Sequence, residues 1–585
     1  MGTENNIEGI RHSLAHLLAQ TVKEMWPGSL NAIGPTIEDG FYQDFEINGK
    51  ISEDDLPKIE DAMRLKLKEW IHFDKKEVSL EEAEEIFGDN KYKIELAEEF
   101  AEGGKNLTVY TCGGFDDLCK GGHADDLSLI DPKSFKLTRT AGAYWRGDEK
   151  NIMLTRIYGV AFTTETELEE YLKNQELAKE RDHRKLGKEM ELFVITPDVG
   201  AGLPLLMPRG ETIKNLLMRY MRQEEEKRGY QQVATPVLAQ EKLYQRSGHA
   251  EYYLEDMYST ETDEEGNKFY IKPMNCPHHH MIFEEMVNSY RDLPLRLSEF
   301  AGLYRYELSG TLTGLIRMRG PITQNDSHIY VTQYQLRSEF KNLMEFFAQV
   351  YAEFGMDDYW YRVSLPDFSK DKYGGDKEKW VQASEVIKDV LDEIGAKYVE
   401  AEGEAAFYGP KLDVQTRNVN GKEDSIATVQ IDVLVPGRMD LTYVNDKGEK
   451  LNPIVIHKSL MGAFERFMGF LLEKTGGDLL FWVAPEQVRV LTINDSVADY
   501  VEEITSILED TLLMEPLKYN ELRFSVDDRN ESLGKKIKEA TELKIPVQLI
   551  VGPKDKEAGE VSVRTKDGES KVKLSELKEF LLSLK

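Results

Sequence analysis

About a quarter of the way along the chain, residues 164–190 read TETELEEYLKNQELAKERDHRKLGKEM, half of them charged and none glycine or proline before Gly187. A stretch with no apolar face to bury reads as a solvent-facing connecting helix, so separate cores must form on either side of it. Length demands the same. A chain of 585 residues exceeds the ~250–300 at which a single core stops growing.

The patterns on the two sides differ. Residues 1–163 alternate short apolar runs with Gly- and Asp-rich turns (IGPTIEDGFYQDFE, TVYTCGGFDDLCKGGH), which reads as an α+β domain. Residues 191–480 place Ile213, Leu216, Leu217, Tyr220 and Met221 at helical spacing. Strand-like runs follow (LPLRLSEFAGLYRYEL, SHIYVT, VQIDVLV, PIVIH) and then a helix, SLMGAFERFMGFLLEKTGG. Together they imply an antiparallel-rich sheet covered by helices. From 481 to 585 strands and helices alternate regularly, as in a small α/β domain. The fold class is therefore α+β and multidomain.

The three cysteines, Cys112, Cys119 and Cys276, are too few and too scattered for a disulfide scaffold and leave metal or catalytic roles open. No run of about 18 apolar residues is present to span a bilayer, and MGTENNIEGIRH lacks a secretory h-region, so a cytoplasmic protein with no membrane partner is expected. The formal charge of −32 opposes a simple nucleic-acid binder, but residues 181–190 and 521–585 carry a slight basic excess. Any RNA contact should concentrate there and weaken as salt rises.

His12 and His16, at i and i+4, share a helix face, and Cys119 and His123 form a second pair in DLCKGGH. Read from residue type alone, the four are a plausible tetrahedral zinc set, or solvated histidines of no consequence. NCPHHH at 275–280 is a third cluster. Arg305 and Glu307 in YRYE, at i and i+2, project from one face if the segment is a strand.

KPMNCPHHH, LPLRLSEF, YRYELSGTLTGLIRMRG, TQNDSHI, AFYGPKLD and IHKSLMGAFERF closely resemble the aminoacylation core of threonyl-tRNA synthetases, which are class II enzymes. HSLAHLL, DLCKGGH and GAYWRGD resemble that family's editing domain, and the similarity runs from about residue 10 to the C-terminus. The resemblance implies an editing domain (1–163), a connecting helix (164–190), a class II antiparallel-sheet catalytic domain (191–480) and an α/β anticodon-binding domain (481–585). It implies a cytoplasmic homodimer, paired through motif 1 at 209–236, that ligates L-threonine to tRNA(Thr) with ATP through threonyl-adenylate and hydrolyses seryl-tRNA.

By the same resemblance Arg305 holds the α-phosphate of ATP, Glu307 the adenine amino group, and Arg317 and Arg466 the outer phosphates, with Mg²⁺ accompanying ATP. Cys276, His328 and His457 hold one zinc ion per subunit, leaving a coordination position for the amino and hydroxyl groups of threonine. Asp326 binds the substrate amine, with Tyr408, Lys411 and Gln430 nearby. Valine, which lacks the hydroxyl, is rejected there. Serine lacks only a methyl, worth ~10–200-fold, so a second site is needed. His12, His16, Asp117, Cys119 and His123 match that editing site, for which the family favours a metal-free cluster over zinc. Asp555 and Arg564 match positions that contact anticodon bases.

The chain departs from the family pattern in places. It opens almost at the editing motif, so the small N-terminal ubiquitin-like domain is expected to be missing. His278 stands for a glycine, Gly122 for a proline, Ser425 for a glutamine and Asp555 for a glutamate. The loop GPITQNDSH is one residue longer than usual and lacks the aromatic that stacks on adenine. His278, His279 or His280 could close the zinc site as a fourth ligand and make it structural. Two other classes compete: a tRNA-binding paralogue without catalysis, which should have lost Arg305 or Arg466, and a zinc-dependent hydrolase, which leaves the 290–470 motifs unexplained.

Overall fold

The computed structural model describes residues 6–584 except Asp371, Asn420, Met514, Lys518 and Tyr519. Two compact units divide the chain, one ending at Glu176 and the other starting at Leu177.

In the first unit Asn6 caps the helix Ile7–Met25 by accepting the Glu8 N–H at 3.2 Å. Its apolar residues recur every three or four positions, so Ile10, Leu14, Leu17, Leu18 and Val22 are buried, each worth roughly 1.5–3 kcal/mol. They share a core with Phe41, Phe45 and Ile157 of an antiparallel sheet whose longer strands are Gly40–Glu46, Phe135–Tyr144 and Met153–Ala161. A second antiparallel sheet, Asp74–Val78, Leu107–Cys112 and Phe115–Leu118, ends next to Cys119.

The second unit is built on an eight-stranded sheet in the order Gln231–Gln232, Leu295–Leu303, Ile322–Val331, Ile454–Ser459, Glu423–Asp432, Lys411–Arg417, Tyr359–Leu365, Tyr398–Glu402. Its six long inner strands are antiparallel, and only the two edge pairings are parallel. Alternation along the strands sorts the side chains. Ile329, Val331, Ile431 and Ile456 enter the core with Ile213, Phe340, Ile387 and Phe467 of the covering helices, while Asp326, His328, Gln430 and His457 turn to the opposite face. A five-stranded sheet at the C-terminal end has three parallel strands (Phe524–Asp527, Val488–Thr492, Val547–Val551) and two antiparallel ones (Glu560–Thr565, Gly568–Lys573).

The charged segment forms two helices, Glu165–Arg181 and His183–Glu189, where one solvent-facing helix is expected. Asp182 caps the second, accepting the Arg184 N–H at 2.7 Å, and that helix buries His183, Leu186 and Gly187. The apolar content of DHRKLG is low but concentrated on one face.

Candidate functional site

Sheet register assembles the larger site. His328 is the cross-strand partner of His457, which is the partner of Gln430, which is the partner of Lys411, so one row crosses four neighbouring strands. Cys276 begins the helix Cys276–Met286, and its sulfur with one nitrogen each of His328 and His457 lies within 4.8 Å of the others. These residues, with Asp326, Tyr408 and Gln430, line a cavity of about 360 Å³.

Neighbouring groups hold the two imidazole rings. Nδ1 of His328 is 2.8 Å from Nδ1 of His279, whose Nε2 is 3.2 Å from Glu299. His457 Nε2 is 3.2 Å from Asp432 Oδ2. One nitrogen of each ring is thus engaged by an orienting partner, the arrangement metal-binding histidines use. The donor set of one sulfur and two imidazoles suits zinc. Burial pushes the Cys276 thiol well up, with Asp326 and Asp432 adding to it, and pushes His328 well down. Asp326 is buried, raised by desolvation, and receives Asn275 Nδ2 at 3.0 Å. Tyr408 donates its hydroxyl to Gln430 Oε1, and Lys411 pairs with Asp413 at 2.8 Å.

The triplet 278–280 is buried and lies outside the three-ligand group. His279 orients His328, and His280 meets the Tyr330 hydroxyl at 2.9 Å. His278 sits in ordinary helix, so its Cβ costs no strain, and both its ring nitrogens lack partners among the described residues.

A larger pocket of about 870 Å³ shares Arg305, Glu307, Arg317 and Gln324 with this cavity and adds Lys411 and Arg466. The strand ends at Leu303, so Arg305 and Glu307 lie in the loop beyond it rather than on one strand face. Arg305 Nε donates to Pro273 O at 3.1 Å, and Glu307 pairs with Arg317 at 2.9 Å. Arg466 reaches Asp424 at 3.9 Å, and its buried Nε has no partner among the described residues. Ser425 takes up Gln415 Nε2 at 2.6 Å.

The first unit carries the other cluster. His12 and His16 share the buried face of Ile7–Met25, their Nε2 atoms 3.2 Å apart, and Cys119 Sγ is 3.3 Å from His12 Nε2 and 3.4 Å from His123 Nε2. Their ligand atoms too lie within 4.8 Å of one another. Asp117 accepts His16 Nδ1–H at 2.8 Å and Lys93 Nζ at 2.5 Å. Burial works against charge at each group but is outweighed. Lys93 and His16 hold Asp117 well below the usual carboxylate range. Asp117 and Cys119 lift His16 to about 9. The imidazoles of His12, His123 and His16 hold the Cys119 thiol well down. Phe73 stacks on His123 with ring centres 3.9 Å apart. Gly122 has φ +92°, which a proline, fixed near −65°, cannot adopt.

Asp555 is buried and committed internally, its carboxylate accepting Gly552 N–H at 3.0 Å and the Ser562 hydroxyl at 2.9 Å. Arg564 is on the strand Glu560–Thr565, paired with Glu569 at 2.9 Å.

Three neighbours of these sites escape sequence reasoning. Lys93 backs Asp117, Gln324 lines both cavities, and His249 Nε2 is 3.3 Å from Cys276 Sγ, its imidazole held down to about 3 by burial and by His457 and Arg438. Each is one unremarked polar residue brought in by a long-range contact.

Among known families, the tRNA synthetase class II core domain (G, H, P, S and T) matches residues 258–475, an anticodon binding domain matches 487–584, and the threonyl and alanyl tRNA synthetase second additional domain matches 107–158. The threonine–tRNA ligase of Staphylococcus aureus (strain JH9) is 46% identical over 565 residues, covering 96% of this chain and 86% of that protein. The RNA binding domain of threonyl-tRNA synthetase from Cryptosporidium parvum Iowa II superimposes with a TM-score of 0.63 at 31% identity, over 69% of this chain and 98% of that one. A putative threonyl-tRNA synthetase from Aeropyrum pernix gives 0.58 at 28%, over 68% and 96%.

Proposed function

The chain belongs to the threonine–tRNA ligase family, and from that premise we propose how its residues divide the work. It attaches threonine to tRNA with Mg²⁺ and ATP, and it edits mischarged tRNA. In our reading the four parts with these duties are residues 1–163, 164–190, 191–480 and 481–585.

The observation that carries the assignment is the register row His328–His457–Gln430–Lys411 beside Cys276 and Asp326. Cys276, His328 and His457 hold one zinc ion per subunit. When bound, it supplies an open coordination position that favours a substrate offering an amine and a hydroxyl together. Asp326, a buried carboxylate with one amide neighbour, receives the substrate ammonium. Tyr408 and Gln430 close one wall around the side chain, and Lys411 extends the row toward the phosphates.

Adenylate formation is attack of the threonine carboxylate on the α-phosphorus with loss of pyrophosphate. The charge that develops needs fixed cations. Arg305, shared by both cavities, meets the α-phosphate, and Arg317 and Arg466 meet the outer phosphates. Glu307, now paired with Arg317, turns to the adenine amino group.

In the first unit, Lys93 keeps Asp117 ionised, Asp117 and Cys119 hold His16 charged, and the cluster with His12 and His123 activates water for ester hydrolysis without a metal. Arg564 is the stronger candidate for an anticodon contact, since the oxygens of Asp555 are occupied. The enzyme works in the cytoplasm as a homodimer paired through the helix Pro208–Glu226, with tRNA(Thr) as its RNA. Among the described residues, no helix is long and apolar enough to cross a membrane.

The decisive experiment is ATP–pyrophosphate exchange with threonine, serine and valine side by side, with zinc quantified in the same preparation. Exchange with threonine and serine but not valine, at one zinc per chain, is expected. Equal exchange with valine, or protein active without zinc, would overturn the substrate-sensing role.

A further inference from the structure

Two arginines on different elements can grip one triphosphate only if those elements are held at a fixed spacing. Arg317 is on a loop and Arg466 on the helix Phe464–Thr475. One buried side chain bonds to both elements, and it comes from neither. His183, the first residue of the helix His183–Glu189, is 1% exposed. Its Nε2 accepts the backbone N–H of Leu315 at 3.1 Å, and its Nδ1–H donates to Glu473 Oε1 at 2.7 Å. A ring that accepts at one nitrogen faces a carboxylate with the proton on the other, which assigns the tautomer.

Both bonds land close to the arginines. Leu315 is two residues before Arg317 and fully buried. Glu473 follows Arg466 by seven residues, two helical turns, and so shares its face. All five residues line the same 870 Å³ pocket.

The surroundings are shaped to the ring. Gly314 has φ +50°, and a Cβ there would fall 2.3 Å from His183 Nε2. A Cβ on Gly469 would fall 3.2 Å from Ile316 Cγ1 and 3.7 Å from His183 Cδ2. The loop gives up a side chain where the imidazole passes, and Gly469 lets the helix pack closely on Ile316 of that loop. Asp182, by capping the helix that carries the ring, fixes its origin.

We propose that His183 is a positioning residue for adenylate formation, pinning the loop of Arg317 to the helix of Arg466 and so setting the distance between the guanidiniums that meet the outer phosphates. The inference rests on the reading of Arg317 and Arg466 as triphosphate ligands. The segment whose charge marks it as a mere connector thereby becomes part of the ATP site.

The test is threonine-dependent ATP–pyrophosphate exchange on the full chain, with seryl-tRNA hydrolysis by the same preparations as a check that the protein is intact. His183→Ala should raise the KM for ATP by about tenfold, the loss expected for one buried charge-assisted hydrogen bond, and leave the KM for threonine within about twofold. Gly314→Ala should give the same signature by displacing the ring. Glu473→Gln keeps an acceptor oxygen for Nδ1–H and should retain most of the ATP affinity that Glu473→Ala loses.

Unchanged ATP KM in His183→Ala and Gly314→Ala, with Arg466→Ala impaired, overturns the pin and leaves the phosphate reading standing. Unchanged ATP KM in both Arg317→Ala and Arg466→Ala overturns that reading and the pin with it. A matched rise in both KM values, or failure of Glu473→Gln to behave better than Glu473→Ala, would reduce His183 to scaffold and also sink the proposal.

Discussion

In the first unit Cys119 touches two imidazoles and its thiol is held well down, while in the second Cys276 lies beside three histidines and its thiol is pushed well up. The residue types are the same, so the difference lies in what surrounds them. Asp117 is shared between Lys93 and His16, and its charge is spent inside the cluster, with a lowered thiol beside a raised imidazole. Around Cys276 the carboxylates of Asp326 and Asp432 have amides, backbone N–H groups and one imidazole for neighbours, with no lysine or arginine bonded to either among the described residues. A charge-balanced cluster can do acid–base chemistry unaided, whereas an unbalanced one invites a cation, whose arrival would deprotonate the thiol.

That contrast is broken most forcefully by exchanging the losses. His16→Ala or Cys119→Ala should slow seryl-tRNA hydrolysis by roughly 10²–10⁴-fold, the range for a lost acid–base group, with threonine-dependent exchange unchanged. Deacylation at the parental rate would show that the balanced cluster is not the hydrolytic site. His457→Ala should do the converse. Bound zinc and pyrophosphate exchange should fall by about 100-fold or more, beyond the 10–100-fold of a second-layer change, while hydrolysis of seryl-tRNA continues.

A smaller effect sharpens the same point. His279 contacts no substrate but joins His328 to Glu299. His279→Ala should weaken zinc affinity by about tenfold, read by competition with a chelator, and chelation should leave hydrolysis in the first unit untouched. Loss of hydrolysis on chelation would place a metal in the His12 cluster too.

Much of this was legible in the sequence because it was local. Helical spacing announces that His12 and His16 share a face, and strand–helix alternation announces the C-terminal sheet. The row His328–His457–Gln430 was legible only through the family resemblance and not from local pattern, since its members meet through pairing of distant strands and one register step would turn each away. The strand read through YRYE stops at Leu303 because the chain leaves the sheet there for the cleft, a tertiary choice that overrides an apolar pattern. Asp555 matches a base-contacting position by resemblance, while its two internal hydrogen bonds, which only the folded turn reveals, were invisible in the sequence. His183 was hidden by its setting. Its charged neighbours set the average, and the average concealed one buried ring.

The mildest prediction uses the three cysteines as reporters of their own surroundings. A thiol held below its ordinary value stays deprotonated as the solution is acidified, until that lowered value is reached. One raised above it is neutral throughout the physiological range and gains thiolate only as pH rises. Cys119 is partly exposed and depressed, so its alkylation by iodoacetamide should be almost independent of pH between about 5 and 8. Cys112 is buried and pushed up to about 11, so it should react slowly and faster with each step upward in pH. Cys276, buried and also pushed well up, should stay protected in zinc-loaded enzyme near neutral pH and, after chelation, react slowly and faster as pH rises. Peptide mapping of the modified sites separates the three. A Cys119 rate that climbs tenfold per pH unit would mean an ordinary thiol, and the electrostatic contrast between the two clusters would be lost with it.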